Sequence, residues 1–240
     1  MDAGASRDRI FWQVREIKVG EKATKGVRRE RILDEAEKLF SKHGFDGVTM
    51  RQLARAAEVD VALASYHFKN KRGLFDAVLW RRSEIMNDLR NKALDEVLAA
   101  SGDGAPDIDA LIDSCIKPLF DPEFELTEGW RHYYELVAYV NNQPEWGREI
   151  MKEHFAPLLE RYLAAFRQAL PDAQEEDIYY CYHFLSGAIT LTMAQTGRMD
   201  IYSGGKTKSE DMLSIYKRMT PFMIAGFKAL CADIQNRNQE

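Results

Sequence analysis

The spacing of the apolar residues constrains this chain more than any other feature. They recur three and four apart along nearly the whole sequence, and alternating apolar/polar strands are hard to find. Arg28 to His43 places Ile32, Leu33, Ala36, Leu39 and Phe40 on one helical face. Gly44 stands where a C-terminal glycine cap belongs. Thr49-Met50-Arg51-Gln52 is a capping box, and Leu53, Ala54 and Ala57 then face inward. Glu58-Val59-Asp60 makes a short turn, with Asp60 placed to cap a second short helix, Val61 to Phe68. Asn70 caps a long helix from Lys71 to about Ala100. After the Ser101–Pro106 loop, the pattern predicts helices at about 107–120, 127–142, 144–170, 174–197 and 208–235. Pro157 and Pro221 fall inside periodic segments and are expected to kink or split them. Leu170-Pro171-Asp172 and Tyr202-Ser203-Gly204-Gly205 read as turns. The fold class is all-α.

The chain has 240 residues, 45% apolar and 30% charged, enough for the core of one or two domains and unlike a disordered or collagen-like chain. No stretch reaches the roughly 18–20 apolar residues of a membrane span. Met1 to Lys25 lacks an apolar signal core, so a secretory signal is not expected. Cys115, Cys181 and Cys231 are odd in number and far apart, which fits a reducing cytoplasm better than a disulfide framework. The net charge of −5 taken alone argues against a nucleic-acid partner. Its distribution argues the other way. The first 75 residues hold 16 Lys/Arg against 11 Asp/Glu, and the rest hold 17 against 27. A basic head on an acidic body is expected where one end meets a polyanion.

Two short helices joined by three residues after a supporting helix form a helix-turn-helix candidate, with an ordinary helical corner as the alternative. Val48, Leu53, Ala54, Val59 and Ala64 supply small apolar packing between the pair. The residues themselves favour the motif. Arg31-Ile32-Leu33-Asp34-Glu35-Ala36, Phe40, Gly44-Phe45, Val48 to Ala54, and Tyr66-His67-Phe68-Lys69-Asn70-Lys71-Arg72-Gly73-Leu74-Phe75 follow one another in order. This stretch resembles the TetR family of bacterial transcriptional regulators over roughly residues 28–75. The resemblance implies that Val61 to His67 is the recognition helix. It implies that Thr49 and Arg51 open the preceding helix beside a phosphate, with Arg51 also in reach of a guanine edge. Val61, Ala62, Leu63 and Ser65 would face bases, through thymine methyl contacts and groove shape, while Tyr66, His67 and Lys71 would clamp phosphates. A lone helical histidine is ordinarily a packed residue, and that reading of His67 stands beside the clamp. Two departures from the family pattern are Ser65, often tyrosine, and Glu58, usually glycine, which must then tolerate a left-handed backbone.

The domain division expected is a flexible extension at 1–23, a DNA-binding head at 24–75, and an effector-binding and dimerisation body at 76–240. Ile10, Phe11, Val14 and Ile17 with nearby bases leave three readings of the extension: a basic arm for a minor groove, a loose tail, or a segment docked on the body. The aromatics of the body read as bundle core, or as the lining of a cavity with a few polar groups to orient a guest. The candidate ligand residues are Trp130, Tyr134, Phe155, His183, Ser186 and Thr190, with His132, Asn141, Asn142 and Gln195 as further polar groups. The segment from Tyr133 through Gly197 is similar to a C-terminal subtype of TetR regulators, some of which answer to fatty acids or acyl thioesters. The aromatic content equally suits an aromatic guest. The helices at about 174–197 and 208–235 are candidates for a two-fold dimer interface, with Ser186-Gly187-Ala188 allowing close approach and Leu185, Ile189 and Met193 as a buried stripe.

Enzyme motifs fail on spacing. Glu153-His154 has no second histidine in zinc-pair register, and Cys181-Tyr182-His183 has the wrong spacing for a common zinc site. Gly205-Lys206-Thr207 lacks the preceding glycine of a phosphate loop, and Ser186-Gly187 lacks a nucleophile elbow. No metal or cofactor is expected. The function expected is a homodimeric regulator, most simply a repressor of a palindromic DNA operator, released by a hydrophobic small molecule that moves the Lys71–Ala100 helix. A DNA-binding adapter that recruits a protein partner without a small effector, its bundle core filled, and an enzyme on the same fold are the alternatives.

Overall fold

A computed structural model describes residues 21–121 and 127–232. The helices are α1 (Glu21–His43), α2 (Met50–Ala56), α3 (Val61–Phe68), α4 (Lys71–Ser101) and α5 (Ile108–Ile116), which runs into a 3-10 turn at Lys117–Phe120. They continue as α6 (Glu128–Asn141), α7 (Gly147–Ala169), α8 (Glu175–Met193), α9 (Arg198–Tyr202) and α10 (Met212–Ala232). No strand occurs among the described residues. The N-terminal candidates Ile10, Phe11, Val14 and Ile17 lie outside them.

The local chemistry explains the element ends. Gly44 takes φ +69 and its N–H donates to the Phe40 carbonyl at 2.8 Å, which stops α1. The Thr49 hydroxyl accepts from the Gln52 N–H at 3.3 Å, and the Gln52 amide oxygen accepts from the Thr49 N–H at 2.8 Å. Asn70 accepts from the Gly73 N–H at 2.9 Å to open α4. Asp60 precedes α3 but its side chain makes no capping bond, which corrects the expected cap. Only its carbonyl serves the helix, accepting from Leu63 and Ala64. Glu58 does adopt the left-handed backbone, at φ 50, and Arg31 holds its carbonyl at 3.0 Å. The expected splits at Pro157 and Pro221 do not occur. Both prolines sit inside continuous helices, α7 and α10. α1 begins seven residues before the expected Arg28 start, and α9 occupies the start of the expected turn at Tyr202.

One core runs through head and body. Ile32, Leu33, Ala36 and Phe40 of α1 are buried with Leu53, Ala54, Ala64, Phe68, Leu74 and Phe75. Phe40 meets Phe75 edge-on at 5.0 Å. Trp146, just before α7, packs on Phe45 at 5.5 Å and on Phe75 at 5.7 Å, so the body reaches into the head. α4 belongs to both parts. It carries Lys71 to Phe75 in the head and Met86, Arg90 and Leu94 in the body, about 46 Å end to end.

Candidate nucleic-acid interface and buried cavity

The short α3 shows two faces. Ala64 and Phe68 turn inward, whereas Val61, Ala62 and Tyr66 are exposed and Ser65 is half-buried on the same side. Leu63 is half-buried beside them. Thr49 and Arg51 are exposed at the start of α2. These residues form one outward surface at the end of the molecule, with a helix short enough to lie in a major groove. His67 is half-buried, its ring edge-on to Tyr66 at 5.4 Å. Lys71 differs from its expected role as a phosphate clamp. Its ammonium donates to the Phe45 carbonyl at 2.9 Å and lies 4.2 Å from the centre of the Phe45 ring. Both ends of that contact belong to the head, so part of its charge is spent on holding the α1–α2 turn.

In the body, α4, α5, α6, α7 and α8 line a cavity that opens to solvent. Its wall is mostly apolar, with Met86, Leu119, Val137, Met151, Leu158, Leu159, Leu185, Ile189 and Met193. Four of the six expected ligand residues line it: Tyr134, Phe155, Ser186 and Thr190. Trp130 and His183 do not. Trp130 is buried below the cavity floor against Tyr133 and Tyr134, with the Arg82 guanidinium 5.1 Å from its ring centre. His183 is exposed on the outer side of α8 beside Phe184. Asn141 also lines the wall. Tyr133, Tyr162 and Tyr182, among the body aromatics read as core or cavity lining, also line it, whereas Arg90 and Cys115 were not expected there. Arg90 had a signal. It sits in register with Leu79, Ser83, Met86 and Leu94, the buried stripe of α4, where a charge has no place without a reason.

The stripe expected at the dimer interface faces the other way. Leu185, Ile189 and Met193 line the cavity, within one protomer. The reason is helical phase: residues one step along α8, Tyr180, Phe184 and Leu191, are the exposed ones.

α6 joins the two sites. Its Tyr133, Tyr134 and Val137 line the cavity. Two residues past Val137, on another face of the helix, the Tyr139 hydroxyl accepts from the Phe45 N–H at 3.2 Å, and its ring lies against Gly44. At the other end of α6, Gly129 sits under a buried ion-pair seat. Glu37 of α1 accepts from Arg82 at 2.5 and 2.8 Å and from Arg81 at 3.1 Å. A Cβ at Gly129 would lie 2.0 Å from the Arg82 guanidinium and 3.0 Å from Glu37. α6 therefore holds the head through Gly129 and Tyr139 while Tyr133, Tyr134, Val137 and Asn141 face the cavity.

Comparison with known proteins agrees with this layout. Residues 32–78 match the family described as bacterial regulatory proteins, tetR family, and residues 113–226 match the tetracyclin repressor-like C-terminal domain. BetI, an HTH-type transcriptional regulator of Escherichia coli K12, is 23% identical over 172 residues, 72% of this chain and 85% of that protein. YttP of Bacillus subtilis is 42% identical over 48 residues, 20% of this chain and 23% of that protein, so this match is confined to a short segment. Among solved structures, GusR of Salmonella enterica has a TM-score of 0.58 at 15% identity, over 86% of this chain and 96% of that one. The fatty acid degradation regulator FadR from Bacillus halodurans has a TM-score of 0.56 at 14% identity, over 83% and 95%. At these identities the structural likeness speaks for the fold.

Proposed function

Because the chain belongs to the TetR family of bacterial regulatory proteins, we propose that it is a ligand-responsive DNA-binding transcriptional regulator, a repressor released from a palindromic operator by a small molecule. The families and relatives it matches are regulators rather than enzymes. The observation that carries the reading is α6, which lines the cavity with Tyr133, Tyr134, Val137 and Asn141 and contacts the head through Tyr139 and the Gly129 seat. An occupant pressing on Tyr133 and Tyr134 acts on the same rigid helix that bonds Phe45 and seats the Glu37–Arg82 pair. α4 runs in parallel from Arg90 to Lys71. Together they give the ligand a direct path to the orientation of α3. The ligand must prefer the released orientation, or nothing shifts.

The proposed division keeps the head at 24–75 and the body at 76–240, with α4 shared between them. Val61, Ala62 and Ser65 face the groove, Thr49 and Tyr66 meet the backbone, and Arg51 reaches a base edge. Tyr134, Phe155, Ser186 and Thr190 belong to the ligand wall. The adapter alternative expects a filled bundle core, and the cavity argues against it. The test is selection of genomic DNA fragments by the purified protein at low salt, repeated with a pool of hydrophobic metabolites. A palindromic site that the pool releases is the expected result. Failure to select any site would sink the reading of the head.

A further inference from the structure

Among the described residues, Arg90 is the one strongly basic group in the cavity wall. Its neighbours on α4 show what a guanidinium there normally finds. Arg72 pairs with Asp76, and Arg81 and Arg82 pair with Glu37. Arg90 has no carboxylate partner among the described residues. Its Nε donates to the Cys115 carbonyl at 3.0 Å, and its terminal nitrogens take no protein acceptor there. The groups around it are Cys115, Tyr133, Tyr162 and Tyr182. None supplies a negative charge. Burial pushes the Cys115 thiol up, and it pushes the phenols of Tyr133, Tyr162 and Tyr182 up as well. All four stay neutral, and the phenols remain donors. A desolvated cation without an anion is costly, and the protein keeps it facing an open space.

The remainder of the wall gives the ligand its shape. Away from Arg90, the lining continues along α7 from Tyr162 back to Met151 and along α8 from Tyr182 to Met193. Each path is about 16 Å at the helical rise. Phe155, Leu158, Leu185 and Ile189 along these paths are apolar. We propose that Arg90 anchors the acidic head of the effector, which is an amphiphile with a free carboxylate at one end and an apolar body lying along α7 and α8. This inference rests on the reading of the cavity as the effector site and adds the class of molecule it takes. A planar carboxylate matches the guanidinium fork, with the Tyr133 and Tyr182 phenols nearby as donors to the remaining lone pairs, while the Tyr162 hydroxyl is engaged by the Arg90 carbonyl and Ser114. Neutral esters and alcohols of the same body leave the charge unpaired.

The test is calorimetric titration of the purified full chain with two matched pairs, dodecanoate against dodecan-1-ol and 2-naphthoate against 2-naphthol. At least one acid is expected to bind about tenfold or more tightly than its alcohol, as befits a desolvated charge-assisted pair. Arg90→Met should erase that preference and Arg90→Lys should keep part of it. Arg90→Met is expected to fold, since an apolar isostere removes an unpaired charge, and circular dichroism checks this. If neither acid is preferred by the wild type, or if no member of either pair binds, the proposal is overturned whatever the variants do. It is equally overturned if Arg90→Met keeps the preference. Acid binding that leaves DNA retention unchanged would count against the regulator reading and for the Arg90 anchor.

Discussion

Lys71 and Arg51 carry the same charge on the same face of the head, and the fold uses them differently. Arg51 is exposed at the first turn of α2 and has no hydrogen bond or ion pair among the described residues. Lys71 is half-buried and bonded to the Phe45 carbonyl. Arg51→Ala should therefore leave the melting temperature unchanged and weaken operator binding, by about 1–3 kcal/mol if it reads a base. Lys71→Ala should lower stability by about 1 kcal/mol through the lost donor and ring contact. Its loss of salt dependence should be smaller than the roughly 0.9 per neutralised phosphate of a free cation. Denaturant melts and binding titrations across salt separate the two. A full phosphate slope change for Lys71→Ala with unchanged stability would reverse the assignment. His154 presents a second residue-scale consequence. It is buried between α4 and α7, shares a hydrogen bond with Ser83 at 3.1 Å, and has Trp80 at 5.1 Å. Burial lowers its pKa, against the smaller opposing effects of Glu153 and Asp76. The fold thus binds the neutral ring, so this stability is present above the ordinary value of about 6.5 and is lost as pH falls below it. Thermal melts at pH 7 and pH 5 should show a larger drop for the wild type than for His154→Gln. Equal drops would clear His154 of the effect.

Among elements, the pairing of α1 with α4 at Glu37 matters most to the proposed signal. Glu37 is 3% exposed and its two arginine partners about 20% exposed. Glu37→Ala leaves two guanidinium groups that water can partly reach. The expected loss is about 2–3 kcal/mol, below the roughly 3–5 of a fully buried broken pair. Chemical denaturation measures this. The same variant should also loosen the seat under Gly129, so that less of the ligand's effect reaches the DNA-binding face. What the sequence shows of these elements depends on range. Gly44, Thr49, Gln52 and Asn70 act within four residues, and each forms the bond its spacing predicts. Asp60 fails because its side chain has a choice of orientation that local pattern does not fix. Pro157 and Pro221 do not split their helices, because packing along a helix outweighs one missing bond and a steric clash. The phase of α8 was misread for a related reason. Two apolar stripes run side by side on it, and only the tertiary fold says which one faces the cavity. Arg90 was legible as a charge in an apolar stripe, whereas the Glu37 seat joins residues 45 positions apart and left no local trace.

For the whole molecule, the second stripe of α8 is the expected face of a two-fold assembly. Tyr180, Phe184 and Leu191 are about half exposed, with Gly187 between Phe184 and Leu191 on the same face. Their spacing of four, three and four is that of a helix packing against a helix. Phe222 of α10 is 73% exposed, with Ala225, Gly226 and Ala229 also exposed further along that helix. An apolar face of this kind on two long helices needs a cover, and a two-fold copy of itself is self-complementary. The small residues matter to the geometry, since a Cβ at Gly187 or Gly226 meets nothing within one chain and the space is free for a partner helix. DNA gives an independent reason for the pairing. One α3 meets only half of a palindrome, and two must stand about 34–36 Å apart to meet successive major grooves. Phe184→Glu places a charge at the centre of this face without touching the cavity wall or the head. The expected outcome is a monomer by analytical ultracentrifugation with unchanged helical content. Operator binding should fall steeply because each monomer then binds a half-site alone, while affinity for a small ligand in the cavity stays the same. A Phe184→Glu protein that still sediments as a dimer would place the interface elsewhere. A monomer that binds the operator as tightly as the wild type would break the link between pairing and DNA recognition.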